Sequence, residues 1–199
     1  VLVEDEFGQI EPNDLWIYNK LQLSKMLGYK CGPVGCKIEE EGWYIIRPAI
    51  NFLGMGRNAV KHWLGYSANP DNYGNPGDFW CEWFEGDHLS IDFYKGECVL
   101  VVKGIKKESE EKSRWEKWVK IDQKVDLPPI LHSISEKYDK INIEMIGDKI
   151  IEVHLRDNPD FVWENEVAIP VYDLQKQICP DGFRFVESED YNRKGFFIK

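Results

Sequence analysis

One segment constrains the fold more than any other: Ile141-Asn142-Ile143-Glu144-Met145-Ile146-Gly147-Asp148-Lys149-Ile150-Ile151-Glu152-Val153-His154-Leu155. Apolar and polar side chains alternate on both sides of a Gly-Asp pair. Successive strand residues point to opposite faces, so this pattern predicts two half-buried strands joined by a tight turn. Three more strand-like runs precede it, at 79–84, 88–94 and 97–103, separated by Glu85-Gly86-Asp87 and by Lys95-Gly96. Glycine beside a polar residue is hairpin-turn chemistry, and consecutive hairpins build antiparallel sheet. The expected class is α+β with mainly antiparallel sheet.

The hairpin also carries candidate chemistry. If Ile143 and Met145 share one core with Ile151 and Val153, then Glu144 and Glu152 share the other face. That arrangement requires a turn of odd length, such as Gly147-Asp148-Lys149; a two-residue Gly-Asp turn would set Glu144 opposite Ile151. Two opposed carboxylates repel unless a cation lies between them, and Mg²⁺ takes such oxygen ligands together with phosphates and water. A solvent-facing polar stripe with Lys149 nearby explains the same residues.

In the N-terminal part, Asn13 or Asp14 is expected to cap a helix running to about Leu27, with Trp16, Leu23 and Leu27 on one face and Gly28 as the stop. Lys20 falls on or beside that apolar face, where its head either snorkels to water or enters a cleft. Trp43 to Ile46 reads as a strand ending at Arg47-Pro48. Gly54-Met55-Gly56 follows, then a weak helical pattern through Trp63 and Leu64, and a loop at 69–78. Backbone N–H groups of a glycine-rich loop can wrap phosphate oxygens, and an arginine pairs with them bidentately. A boundary in that loop gives lobes 13–77 and 78–199. Further on, 106–120 reads as a charged excursion, Pro128-Pro129 as a helix start, and short strand-like pieces occupy 169–172, 183–186 and 196–198.

Charge narrows the function classes. The chain has 199 residues and a net charge of −10, which argues against broad binding to nucleic-acid backbones or anionic membranes. No apolar run reaches the ~18 residues of a membrane span, and the first residues lack the basic start of a signal peptide. Five cysteines in no complete zinc pattern read as reduced thiols, so a cytoplasmic location is expected.

Taken in order, these pieces resemble the ATP-grasp superfamily over roughly residues 13 to 160. Asn19-Lys20-Leu21 before Gly28 to Pro33 is similar to the family's Asp-Lys helix and Gly-x-x-x-Pro passage. Tyr44-Ile45-Ile46-Arg47-Pro48 before Gly54-Met55-Gly56 is similar to its strand ending in Lys-Pro before the phosphate loop. Cys81-Glu82-Trp83-Phe84-Glu85-Gly86-Asp87 is similar to the adenine hinge. Glu144, then Ile151-Glu152-Val153-His154-Leu155-Arg156, is similar to the magnesium-binding acidic strand and Glu-x-Asn. Two departures are Arg47 in place of lysine and His154 in place of asparagine, with Asn158 or water as a substitute ligand.

The resemblance implies a nucleotide cleft between two α+β lobes. It implies Lys20, Arg47, Gly54, Met55 and Gly56 on the phosphates, with Trp83 and Phe84 backbone on adenine. Glu82 and Asp87 would take the amino group or ribose, and Glu144, Glu152, His154 and Asn158 would surround Mg²⁺. The implied activity is an ATP- and Mg-dependent ligase that activates a small-molecule or peptide carboxylate as an acyl-phosphate for an amine or thiol. Arg47 and Arg156 would carry turnover, Arg156 by anchoring an anionic substrate. A homodimer or partner supplying the family's substrate domain is expected. A nucleotide-binding or interaction module without turnover remains the alternative. A lysine-adenylating ligase finds only Val102-Lys103-Gly104 in its favour. An aromatic binding surface would use Trp63, Trp80, Trp83, Trp115 and Trp118.

Overall fold

The computed structural model describes residues 10–50, 59–65, 73–106, 115–161, 164–190 and 193–199. The strands are β1 (Cys31–Pro33), β2 (Gly42–Pro48), β3 (Val60–Leu64), β4 (Asp78–Glu82), β5 (His88–Tyr94), β6 (Glu97–Ile105) and β7 (Lys117–Lys120). They continue with β8 (Lys140–Ile146), β9 (Lys149–His154), β10 (Val167–Val171), β11 (Arg184–Asp190) and β12 (Arg193–Ile198). The helices α1 (Lys20–Met26) and α2 (His132–Ser135) are short. One sheet has the order β1-β4-β2-β3 and the other β11-β12-β10-β7-β6-β5-β8-β9. The α+β class with mainly antiparallel sheet therefore holds.

Two compact units emerge: residues 1–86 with 145–154, and 87–144 with 155–199. This division differs from the boundary expected at 77/78. β4 pairs with both β1 and β2, so it belongs to the first unit instead of opening the second.

In the first unit, alternation along β2 sends Tyr44 and Ile46 into a core with Ile38, Leu64 and Trp80. The segment 60–64, expected as helix, is β3 and pairs with β2 from Trp43↔Trp63 to Ile46↔Val60. β-branched and aromatic side chains there pack better on a pleated surface than on an isolated helical turn. The expected continuous N-terminal helix is also interrupted. Pro12–Tyr18 forms a 3₁₀ turn, and Asn19, extended at φ −96° and ψ 97°, caps α1 by accepting from the Gln22 N–H. Gly28 ends the helical region at φ +74°.

Gly86 and Gly147 lie backbone to backbone within this unit. Gly86 has φ +132°, and a Cβ there would stand 2.7 Å from the Gly147 Cα. Gly86→Ala combines backbone strain with overpacking, and we expect a loss of about 2 kcal/mol in urea unfolding. A change within about 0.5 kcal/mol would mean that the turn yields freely.

In the second unit, Val102, Trp118, Phe161, Ala168, Phe196 and Ile198 form the core. The β5–β6 turn places Lys95 (φ 51°) and Gly96 (φ 81°) in the left-handed region, as a two-residue hairpin with twist-matched strands requires. Trp118 is 4% exposed, so the expected charged excursion contributes a strand, β7, whose tryptophan joins this core.

Candidate functional site

The first unit buries a lysine. Lys20 opens α1 at 5% exposure, and its Nζ lies 3.1 Å from the Glu152 Oε1 on β9. Snorkelling is thus replaced by an internal ion pair. His154, two residues along β9 and on the same strand face as Glu152, brings its Nε2 to 3.6 Å from that carboxylate. Tyr18 meets the His154 ring edge-on with centroids 6.4 Å apart.

Arg47 stands near the end of β2. Its Nη2 donates to the Ile151 carbonyl at 3.0 Å, and its guanidinium lies over the Phe79 ring, 5.4 Å from the centroid. The Arg47 Nε is buried without a hydrogen-bond partner among the described residues. A buried guanidinium donor is costly to leave unfilled, and an anionic oxygen would satisfy it.

The expected adenine hinge is occupied by the protein's own bonds. Glu82 accepts the Lys30 N–H at 2.9 Å, and the Trp83 N–H donates to the Trp43 carbonyl at 2.9 Å. The Lys61 Nζ lies 4.1 Å from the Trp83 ring centroid, and Phe84 packs edge-on against Tyr29. Gly54, Met55 and Gly56 lie outside the described residues.

In the second unit, Asp87 pairs with the Lys103 Nζ at 2.7 Å. Glu144 Oε2 is 3.1 Å from the His88 Nε2, whose ring is flanked by Trp115 and Trp118 at 4.6 and 5.8 Å. Arg156 Nη1 donates to the Asp157 carbonyl at 2.9 Å, and its Nε is another buried donor without a partner among the described residues.

Asn158 is 5% exposed and already committed: its Nδ2 donates to Ser90 Oγ at 3.1 Å, and its Oδ1 accepts the Asp160 N–H at 2.8 Å. It belongs to a buried network with Asp92 and Asn142. The Asp92 Oδ1 accepts from the Asn142 Nδ2 at 2.7 Å and from the Asn158 N–H at 3.0 Å. Burial nevertheless pushes the Asp92 carboxyl up to about 6.

The expected metal ligands fall in both units, Glu152 and His154 in the first, Glu144 and Asn158 in the second. Ile146 closes β8 and Lys149 opens β9, leaving a two-residue turn with Gly147 at φ +60°. The odd-length turn needed to set Glu144 across from Glu152 is not formed, because glycine in the first turn position suits the two-residue type. Among the described residues, no group of three or more His, Cys, Asp or Glu side chains could hold a metal ion. Lys20 pairs with Glu152, and the Asn158 amide donates to Ser90.

Sequence reasoning missed the Asp92–Asn142–Asn158 network and the Lys20–Glu152 pair. Polar residues within apolar strands (Ser90, Asp92, Asn142) were the available signal for the first.

The chain is thus an α+β protein whose first unit buries Lys20 and half-buries Arg47, the latter with an unfilled donor among the described residues. Among solved structures it is similar to ATP-grasp proteins. A protein from Archaeoglobus fulgidus assigned to that superfamily aligns at 14% identity and TM-score 0.48, covering 92% of this chain and 64% of its own. The ATP-grasp ligase PsnB, complexed with minimal precursor, Mg and ADP, aligns at 9% identity and TM-score 0.42 over 79% of this chain and 54% of its own. An L-amino acid ligase from Bacillus licheniformis aligns at 11% identity and TM-score 0.42 over 71% and 41%. This chain therefore spans less than two thirds of the length of these proteins. No protein-family model matches the sequence, and the search of curated proteins found no match. Among the described residues, no helix is long and apolar enough to cross a membrane.

Proposed function

We propose that this chain binds ATP and serves an ATP-dependent ligase reaction on a small-molecule or peptide carboxylate. The observation that carries the reading is the half-buried Arg47 guanidinium, whose Nε is buried and unfilled among the described residues. It stands on the strand whose sequence, Tyr44 to Pro48 before Gly54-Met55-Gly56, resembles the ATP-grasp phosphate passage.

When bound, ATP supplies a phosphoryl group that converts a carboxylate to an acyl-phosphate, from which an amine or thiol displaces phosphate. The protein's task is placement and charge compensation. Arg47 presents a planar donor fork whose orientation the Ile151 carbonyl and the Phe79 ring hold. Lys20 supplies a second positive charge, which Glu152 keeps tolerable inside the fold. Arg156, with its own unfilled Nε, is the candidate anchor for an anionic substrate.

A second reading, nucleotide binding without turnover, is favoured by the commitment of Glu152 to Lys20 and of the Asn158 amide to Ser90. A thermal-shift titration followed by product assay separates the two. ATP should raise the unfolding temperature by mass action on the folded state, and Arg47→Gln should abolish the shift. ADP release with a mixture of carboxylates and amines supports the ligase; stabilisation without release supports the binding module. Indifference of the wild-type protein to ATP overturns both.

A further inference from the structure

The sequence presents its five cysteines as scattered, but the sheet brings two of them together. Cys31 on β1 lies directly across from Cys81 on β4 in an antiparallel ladder. The Glu82 N–H donates to the Lys30 carbonyl at 2.9 Å, and the Val34 N–H to the Asp78 carbonyl at 3.1 Å. Lys30/Glu82 and Val34/Asp78 are therefore hydrogen-bonded pairs. By the alternation of such a ladder, Cys31/Cys81 occupies the closer, non-hydrogen-bonded kind of site.

Opposed residues at these sites have Cα atoms about 4.5 Å apart and side chains on one face. A disulfide accepts Cα separations of about 4.4–6.8 Å, so the pair sits at the short end of the permitted range without backbone movement. Closure there requires a constrained geometry, and constrained disulfides are the reducible ones. Both thiols are free; Cys31 is half-buried, and Cys81 is 1% exposed with its Sγ 4.0 Å from Ser24 Oγ on α1.

We propose that Cys31 and Cys81 are a reversible thiol–disulfide pair, oxidised by low-molecular-weight disulfides and closing a covalent tie between edge strand β1 and interior strand β4. The Cys31 thiolate attacks one sulfur of the disulfide oxidant, forming a mixed disulfide and releasing one thiolate, which takes up a proton. The Cys81 thiolate then attacks the Cys31 sulfur, displacing the second thiolate. Two protein thiols lose two protons and two electrons, and the oxidant is reduced to two thiols.

Cys31 is the entry point because it alone of the two reaches solvent. Burial raises both thiols, Cys81 to about 12, so the reaction is slow at neutral pH and accelerates as pH rises. Lys25 offsets part of the burial effect at Cys31.

The test incubates the full chain with oxidised glutathione, quenches with acid, and maps cysteine linkages by mass spectrometry. The expected product is an internal Cys31–Cys81 bridge, two hydrogens lighter, reopened by reduced glutathione without denaturant. Formation should quicken several-fold from pH 7 to pH 8. Cys81→Ala should stall with glutathione on Cys31, and Cys31→Ser should leave Cys81 unmodified. Because Cys31 is half-buried, the second variant does not depend on rebuilding the interior. A stable glutathione adduct on Cys31 in the unsubstituted protein would overturn the proposal. So would bridges through Cys36, Cys98 or Cys179 in place of this one, or a folded protein in which only the exposed Cys36 and Cys179 react.

Discussion

Lys20→Met should cost about 3–5 kcal/mol of folding stability, because it takes the Lys20 ammonium away from the Glu152 carboxylate in a low-dielectric interior. The two side chains are 6% and 12% exposed, so water cannot readily replace the ammonium. Their attraction in the intact protein roughly offsets the desolvation of both, and removal of one partner exposes the uncompensated half of that balance. The companion variant Lys20→Met/Glu152→Leu removes both charges and should recover most of the loss. Urea unfolding of the two variants and of Glu152→Leu closes a double-mutant cycle. A single-variant loss below about 1 kcal/mol would show that His154, 3.6 Å from the same carboxylate, takes over the pairing.

Asn142→Ala should cost about 2–4 kcal/mol at neutral pH and less in acid. Asn142 is 1% exposed and its Nδ2 donates to Ser90 Oγ at 2.8 Å and to Asp92 Oδ1 at 2.7 Å. Loss of a bond to a charged acceptor removes about 1.5–3 kcal/mol, and loss of the second bond, to a Ser90 hydroxyl that keeps its Asn158 donor, adds about 0.5–1.

The pH dependence follows from Asp92, whose carboxyl burial lifts from the ordinary 3.8 to about 6. Between these values the folded protein binds the proton more tightly than the unfolded chain. The ionised carboxylate therefore costs about 3 kcal/mol above pH 6, and that cost is relieved as pH falls through 6 towards 4. The Asn142 amide favours the charged form, so its removal raises the carboxyl further. The cost of Asn142→Ala should accordingly grow between pH 5 and pH 7.5 in paired urea titrations. Asp92→Asn in the same series should remove this component of the pH slope. A cost of Asn142→Ala that is flat across the window would place the loss in packing alone.

These two clusters differ in how far the amino-acid order announced them. Period-two alternation and glycine turns foretold β2, β5, β6, β8 and β9 nearly residue by residue, because each strand's faces are set by its immediate neighbours. Lys20 stood out as a cation on an apolar face, but its partner lies 132 positions away, and no local pattern selects Glu152 over another acid. Arg47 was singled out from the strand it ends. The unfilled Nε that now argues for an anion is a property of packing, invisible in residue order.

Two expectations failed for the same reason. The segment 60–64 carries a weak helical pattern in isolation, yet pairing with β2 decided for a strand. The hairpin turn could hold two residues or three, and only the observed strand ends chose two.

Strand order along the chain, the α+β class and the acidic charge follow from composition and short-range alternation, which depend on residues a few positions apart. Ion partners, the Asp92 network and the facing of Cys31 and Cys81 come only from tertiary structure. They depend on contacts across dozens of residues, where loop closure, burial and hydrogen-bond completion select one arrangement from many that the local pattern permits.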